Sequence, residues 1–106
     1  MPFDSLTQPT LIRVSETSQV GSVAGAVMEQ LRLFRVSYLQ AMGAGAVNQS
    51  IKALAKAGEF CEQEHLRLWA HHSFKRISTV KFDATLFTGN FYTINISSIV
   101  APGTFF

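Results

Sequence analysis

Leu39-Gln40-Ala41-Met42-Gly43-Ala44-Gly45-Ala46-Val47-Asn48-Gln49-Ser50-Ile51-Lys52-Ala53 is the stretch that decides the fold. Its front, Val36 to Met42, reads as a largely buried strand; two glycines then make a tight turn, and from Val47 the apolar residues recur at helical spacing. Gly43 and Gly45 let the backbone enter conformations that a side chain forbids. They also leave amide N–H groups free at a helix N-terminus, where an anion can be cradled. The turn lacks the Gly-Lys-Ser/Thr ending of an ATP-binding loop, and Gly43-x-Gly45 lacks the third glycine of a dinucleotide fingerprint. Two readings stay open: a turn that faces a polymer phosphate, or a turn required only by tight chain reversal and close helix packing.

Upstream, Thr10 to Ser15 is short and rich in β-branched residues and reads as the first strand. Val23, Val27, Leu31 and Phe34 then mark the buried face of a helix, with Ser22 at the N-cap position and Glu29, Gln30 and Arg32 on other faces. Gly25 inside that helix predicts a close approach to a neighbouring backbone. A strand, helix, strand order with short connections predicts parallel pairing of the two strands.

Downstream, Val47, Ile51, Leu54, Ala55 and Gly58 line the buried side of the second helix, and Asn48, Lys52 and Lys56 form an outward polar row. From Leu66 the period changes to two, through Leu66–Ala70, Val80–Leu86 and Tyr92–Ile96. Thr88-Gly89-Asn90 is the expected hairpin turn, and Ser73 to Thr79, which holds Lys75 and Arg76, bends or interrupts the strand before it. The order is β-α-β-α-β-β. Residues 1–9 form an N-terminal arm, 10–100 a single domain and 101–106 a C-terminal tail.

The chain has 106 residues, 47% hydrophobic and only 15% charged, ample for one core. Nine Phe residues are more than one small core hides, which predicts a homodimer or higher oligomer. No run of eighteen apolar residues exists and the first residues lack a basic then apolar leader, so the expectation is a cytoplasmic protein with no membrane partner. Cys61 is the sole cysteine, which rules out an internal disulfide.

The net charge of +2 is unevenly spread. Arg13, Arg32, Arg35, Lys52 and Lys56 against six carboxylates leave residues 1–64 at −1, whereas Arg67, Lys75, Arg76 and Lys81 against Asp83 alone leave residues 65–106 at +3. A local basic patch of that size suits phosphate contact and falls short of a DNA packager's stripe.

The strand and helix order, with Val14-Ser15 ending the first strand, Ser22-Val23-Ala24-Gly25-Ala26 opening one helix and the Leu39–Ala53 stretch leading into the next, resembles the bacterial stage V sporulation protein S family. The likeness runs from about Leu11 to Phe60. That family is similar in fold to the archaeal Alba chromatin proteins. The resemblance implies an α/β, two-layer Alba-like sandwich: a mixed four-stranded sheet, two helices on one face and an extended hairpin of the last two strands. It also implies a dimer with a nucleic-acid-binding, regulatory role in sporulation and cell development. Alba proteins carry basic side chains before the second helix, where this chain has Met42, Ala44 and Gln49, and the hairpin here reads as longer than in the sporulation family by about Val80 to Phe87.

The expected nucleic-acid contacts, to DNA or RNA, are Gly43, Ala44, Gly45, Asn48, Lys52, Lys75, Arg76 and Lys81. The other reading is a self-assembling or protein-docking module with no nucleic-acid role, motivated by Phe87, Phe91 and Phe105-Phe106. Trp69 and Phe74 are candidates for base stacking, or for core and interface packing. Cys61, His65, His71 and His72 lack the paired spacing of a zinc site, so no metal and no cofactor are expected. No nucleophile has a histidine and an orienting acid set beside it, and no enzymatic activity is expected.

Overall fold

Alternating apolar residues build four strands, β1 (Ile12–Val14), β2 (Val36–Ala41), β3 (Leu66–Phe82) and β4 (Thr85–Pro102). Two helices, α1 (Val20–Phe34) and α2 (Ala44–Gln63), alternate with the first three in a computed structural model that describes residues 9–103. The order is β-α-β-α-β-β. Phe105 and Phe106, and all but Pro9 of the expected N-terminal arm, lie outside the described residues.

The sheet runs β1-β2-β4-β3. β1 pairs parallel with β2, as the short crossover predicts, and the other pairings are antiparallel. Both helices cover one face. α1 buries Val23, Ala24, Val27, Met28 and Leu31 against Val14, Leu39 and Ile96, with Leu66, Leu68, Ile94 and Val100 packed at the margin. Leu31, Leu39 and Ile96 are almost wholly enclosed, and each such side chain contributes about 1.5–3 kcal/mol.

The second helix turns a different face inward from the one its large apolar residues suggest. Ala46, Ser50, Ala53, Leu54, Ala57 and Cys61 are buried, whereas Ile51 is 55% exposed and Ala55 is exposed. Small residues let α2 lie close to α1 and the sheet, and closeness of packing outweighs the burial of one isoleucine. The Ser50 hydroxyl is satisfied within the helix by donating to the Ala46 carbonyl at 2.9 Å.

α1 begins at Val20 with Gln19 as its N-cap, so Ser22 lies inside the first turn. The chain enters through a turn in which Ser18 N–H donates to the Ser15 carbonyl at 3.1 Å and Ser15 N–H to Ser18 Oγ at 2.9 Å. Gln30 faces inward, contrary to its expected outward position. Its Oε1 accepts from Ser37 Oγ at 2.7 Å and Tyr38 N–H at 3.4 Å, and its Nε2 donates to the Thr10 carbonyl. Three partners on β2 and the segment before β1 make burial of this amide tolerable. Gly25 is exposed with open space where a Cβ would stand, so no close approach explains it.

The hairpin departs most from expectation. β3 runs unbroken through Ser73–Thr79, and the chain reverses at Asp83-Ala84, with Asp83 in the left-handed region at φ 55°. Asp tolerates that conformation because its short polar side chain bonds locally. Thr88-Gly89-Asn90 lies within β4: Ile77 faces Phe91 and Thr79 faces Thr88, so Gly89 and Asn90 together oppose Ser78. That is a β-bulge, and glycine followed by asparagine suits a bulge and a turn alike. Past Leu68 the edge strand β3 is uncovered by the helices, leaving Phe74 78% exposed, while β4 stays covered as far as Ile94.

Candidate nucleic-acid interface

Alternation along β4 divides the sheet. Ile94, Ile96, Ser98 and Val100 turn toward the helices, so Thr93, Asn95, Ser97 and Ile99 turn to the helix-free face. Directly paired residues share a face. Tyr38 and His71 therefore flank Ser97, Gln40 and Ser73 flank Asn95, Trp69 adjoins Ile99, and Lys75 adjoins Thr93. β1 adds Arg13 beside Gln40.

Not one residue of the four strands is acidic, whereas five are cationic: Arg13, Arg67, Lys75, Arg76 and Lys81. The carboxylates of the described residues sit on the helices, at the α2 C-cap Glu64, in the Glu16 loop and at the Asp83 turn. Arg13, Lys75 and Lys81 converge on one open groove of about 460 Å³, whose walls are Leu11, Gln40, Met42, Ile77, Thr79, Val80 and Thr93. The hairpin thus curls back over the edge formed by β1 and β2. Thr93 is buried on this face, and its Oγ1 donates to Asn95 Oδ1 at 2.8 Å and lies 3.4 Å from the Lys75 carbonyl.

Lys75 and Lys81, expected together, are brought together, while Arg76 is not. It neighbours Lys75 along the strand, so its side chain takes the other face, opposite Tyr92. All three are exposed, and among the described residues none forms an ion pair; the Arg32–Glu64 pair, at 3.6 Å, links α1 to the end of α2.

The glycine turn does not line this groove but opens on a neighbouring cavity that shares Val14 and Met42 with it. Gly43 adopts φ 91°, and its carbonyl accepts from Val47 N–H at 3.1 Å. A cavity at the mouth of α2 is lined by Ser15, Glu16, Thr17, Met42, Gly43, Ala44 and Gly45. Glu16 is pressed against Gly45, so the protein already holds a carboxylate at the positive end of the α2 dipole. Asn48 and Lys52 are exposed on α2 beyond it. Gln49 Nε2 donates to the Ser18 carbonyl at 2.8 Å and ties the Glu16 loop to the helix.

Cys61 is fully buried with its Sγ 3.7 Å from Met28 Sδ. Burial pushes its thiol pKa up, Glu64 adds to the rise, and Arg32 opposes it. His71 and His72 are consecutive on β3, and among the described residues no three His, Cys, Asp or Glu side chains are grouped to hold a metal. No described helix is long and apolar enough to cross a membrane.

Arg13 and Tyr38 belong to the helix-free face and were not singled out by the sequence. Arg13 stands between Ile12 and Val14 in a three-residue strand, and only the curl of a hairpin over sixty residues away brings Lys75 to it. A family model described as Stage V sporulation protein S (SpoVS) matches residues 10–88, and the chain belongs to that family. Membership supports a sporulation-related regulatory protein.

Proposed function

We propose that this member of the stage V sporulation protein S family is a small dimeric regulator that binds nucleic acid through the basic groove of its helix-free face. The observation that carries the reading is the convergence of Arg13, Lys75 and Lys81 on a groove with no carboxylate in its lining. Phosphates are the abundant polymeric anions that such a groove attracts, and phosphate contact fixes register without reading sequence. Arg76 and the exposed Lys52 extend the positive surface around the subunit. The Glu16 carboxylate at the α2 mouth weighs against phosphate at Gly43, Ala44, Gly45 and Asn48, and in this reading Gly45 serves the close approach of Glu16 and Gly43 the chain reversal.

Fluorescence anisotropy with labelled DNA and RNA at low and moderate salt tests the proposal, with Lys75→Glu/Lys81→Glu as the comparison. Salt-sensitive binding that the variant loses is expected; absence of binding at low salt removes the reading. Leu86 and Phe87, exposed near the hairpin tip, favour a second reading as a protein-docking arm. Light scattering on the intact chain and on Leu86→Lys/Phe87→Lys separates the two. Unchanged mass with intact nucleic-acid affinity excludes the tip as an oligomer contact.

A further inference from the structure

We propose that the helix-free sheet face is a stacking platform for single-stranded nucleic acid, an inference that rests on the nucleic-acid reading above and names its substrate class. Two large rings stand on this face without a covering layer: Tyr38 on the central strand β2, 41% exposed, and Trp69 on β3, 55% exposed. Tyr38 pairs with Ser97 and Trp69 with Ile99, so two strand widths and two residues along the strand put them about 12 Å apart, room for separate unstacked bases. The Arg67 guanidinium lies 5.4 Å from the Trp69 ring centroid, which steadies the indole while more than half of the residue stays accessible.

Beside Tyr38 is a depression of about 120 Å³ in which Ser73, Asn95 and Ser97 stand among Leu11, Leu39 and Ile96. Asn95 Oδ1 is engaged by Thr93 Oγ1, and that bond leaves the Asn95 amide N–H groups, with the Ser73 and Ser97 hydroxyls, to meet the edge of a base. The cationic groove continues the same face toward the hairpin, so a strand whose bases rest on Trp69 and Tyr38 has its phosphates led to Arg13 and Lys75. A duplex hides its base faces and presents backbone and groove edges, whereas a single strand meets the rings, the depression with its Ser73, Asn95 and Ser97 groups, and the cations together. Charge complementarity selects a polyanion for this face, and the two exposed flat rings beside the cations favour one that carries stackable bases.

Trp69 is the sole tryptophan, so its emission reports this face directly. Short oligo-uridine and oligo-thymidine strands, and a duplex of equal length, are titrated by anisotropy and by tryptophan emission. The single strands are expected to bind about tenfold more tightly than the duplex and to quench Trp69; Trp69→Ala and Tyr38→Ala each weaken them about tenfold without changing duplex affinity, and Trp69→Phe restores most of the loss. Equal affinity for duplex with unaltered emission overturns the platform and leaves the nucleic-acid reading standing. No binding of any probe at low salt overturns both. Sedimentation decides the remaining case: Trp69→Ala that dissociates an oligomer while strand affinity is unchanged assigns the face to a second copy of the chain and overturns the proposal. Should Trp69→Ala fail to fold by circular dichroism, the wild-type quench and Tyr38→Ala decide it.

Discussion

Glu16 closes the mouth of α2 against Gly45: a Cβ placed on Gly45 would stand 2.6 Å from Glu16 Cβ and 3.6 Å from its Cα. The glycine is therefore demanded by a neighbouring chain segment, and the carboxylate beside it answers the helix dipole from within the protein.

Substituting the two glycines in helix interiors and first turns should have opposite effects. Gly45→Ala gains about 1 kcal/mol of helix propensity but forces the Glu16 loop outward, and overpacking of about 1–3 kcal/mol leaves a net loss. Gly25→Ala meets nothing within 4 Å and should stabilise by up to about 1 kcal/mol. Urea midpoints measure both, and a stabilised Gly45→Ala would refute the contact.

Gln30 joins α1 to the start of β1 and to β2 through Thr10, Ser37 and Tyr38. Gln30→Leu keeps the volume and orphans the buried Ser37 hydroxyl, so a loss of about 1–3 kcal/mol is expected. Adding Ser37→Ala to Gln30→Leu should recover part of that loss. A strictly additive double variant in chemical denaturation would show that the two side chains are not coupled.

The Cys61 thiol has a raised pKa in the folded protein, its largest cause being burial. The folded state therefore holds its proton where the unfolded chain has released it. Stability from this group is fully present below the unfolded thiol pKa and is lost as pH rises from there through the folded one. Denaturation midpoints should fall over that alkaline window, and Cys61→Ala should flatten the fall while lowering stability at neutral pH through lost packing. Thiol reagents should modify the native protein slowly and the unfolded chain fast.

Much of the architecture was legible because strand and helix periodicity were undisturbed in α1, β2 and the inner half of the hairpin: Val23, Val27 and Leu31 are buried as their spacing predicts, and Leu66 and Leu68 turn to the helices. The face of α2 was misread because alanine and serine carry little hydrophobic weight yet pack most closely. The hairpin turn was misplaced because Gly89-Asn90 has the chemistry of a turn, whereas Asp83-Ala84 has a single left-handed Asp to announce it. For the candidate site, Lys75 and Lys81 were readable as basic residues on one arm. Arg13 and Tyr38 were not, since sheet order and the curl of the hairpin, both long-range outcomes of packing, put them on the same face.

The central claim, that Arg13, Lys75 and Lys81 grip phosphates, is tested most directly by the salt dependence of oligo-uridine affinity. Three phosphate contacts predict a slope of log K against log salt of about −2 for a single strand, and Lys75→Glu/Lys81→Glu should both weaken binding and flatten that slope. Affinity that is unchanged in this variant, or that does not respond to salt, would contradict the account.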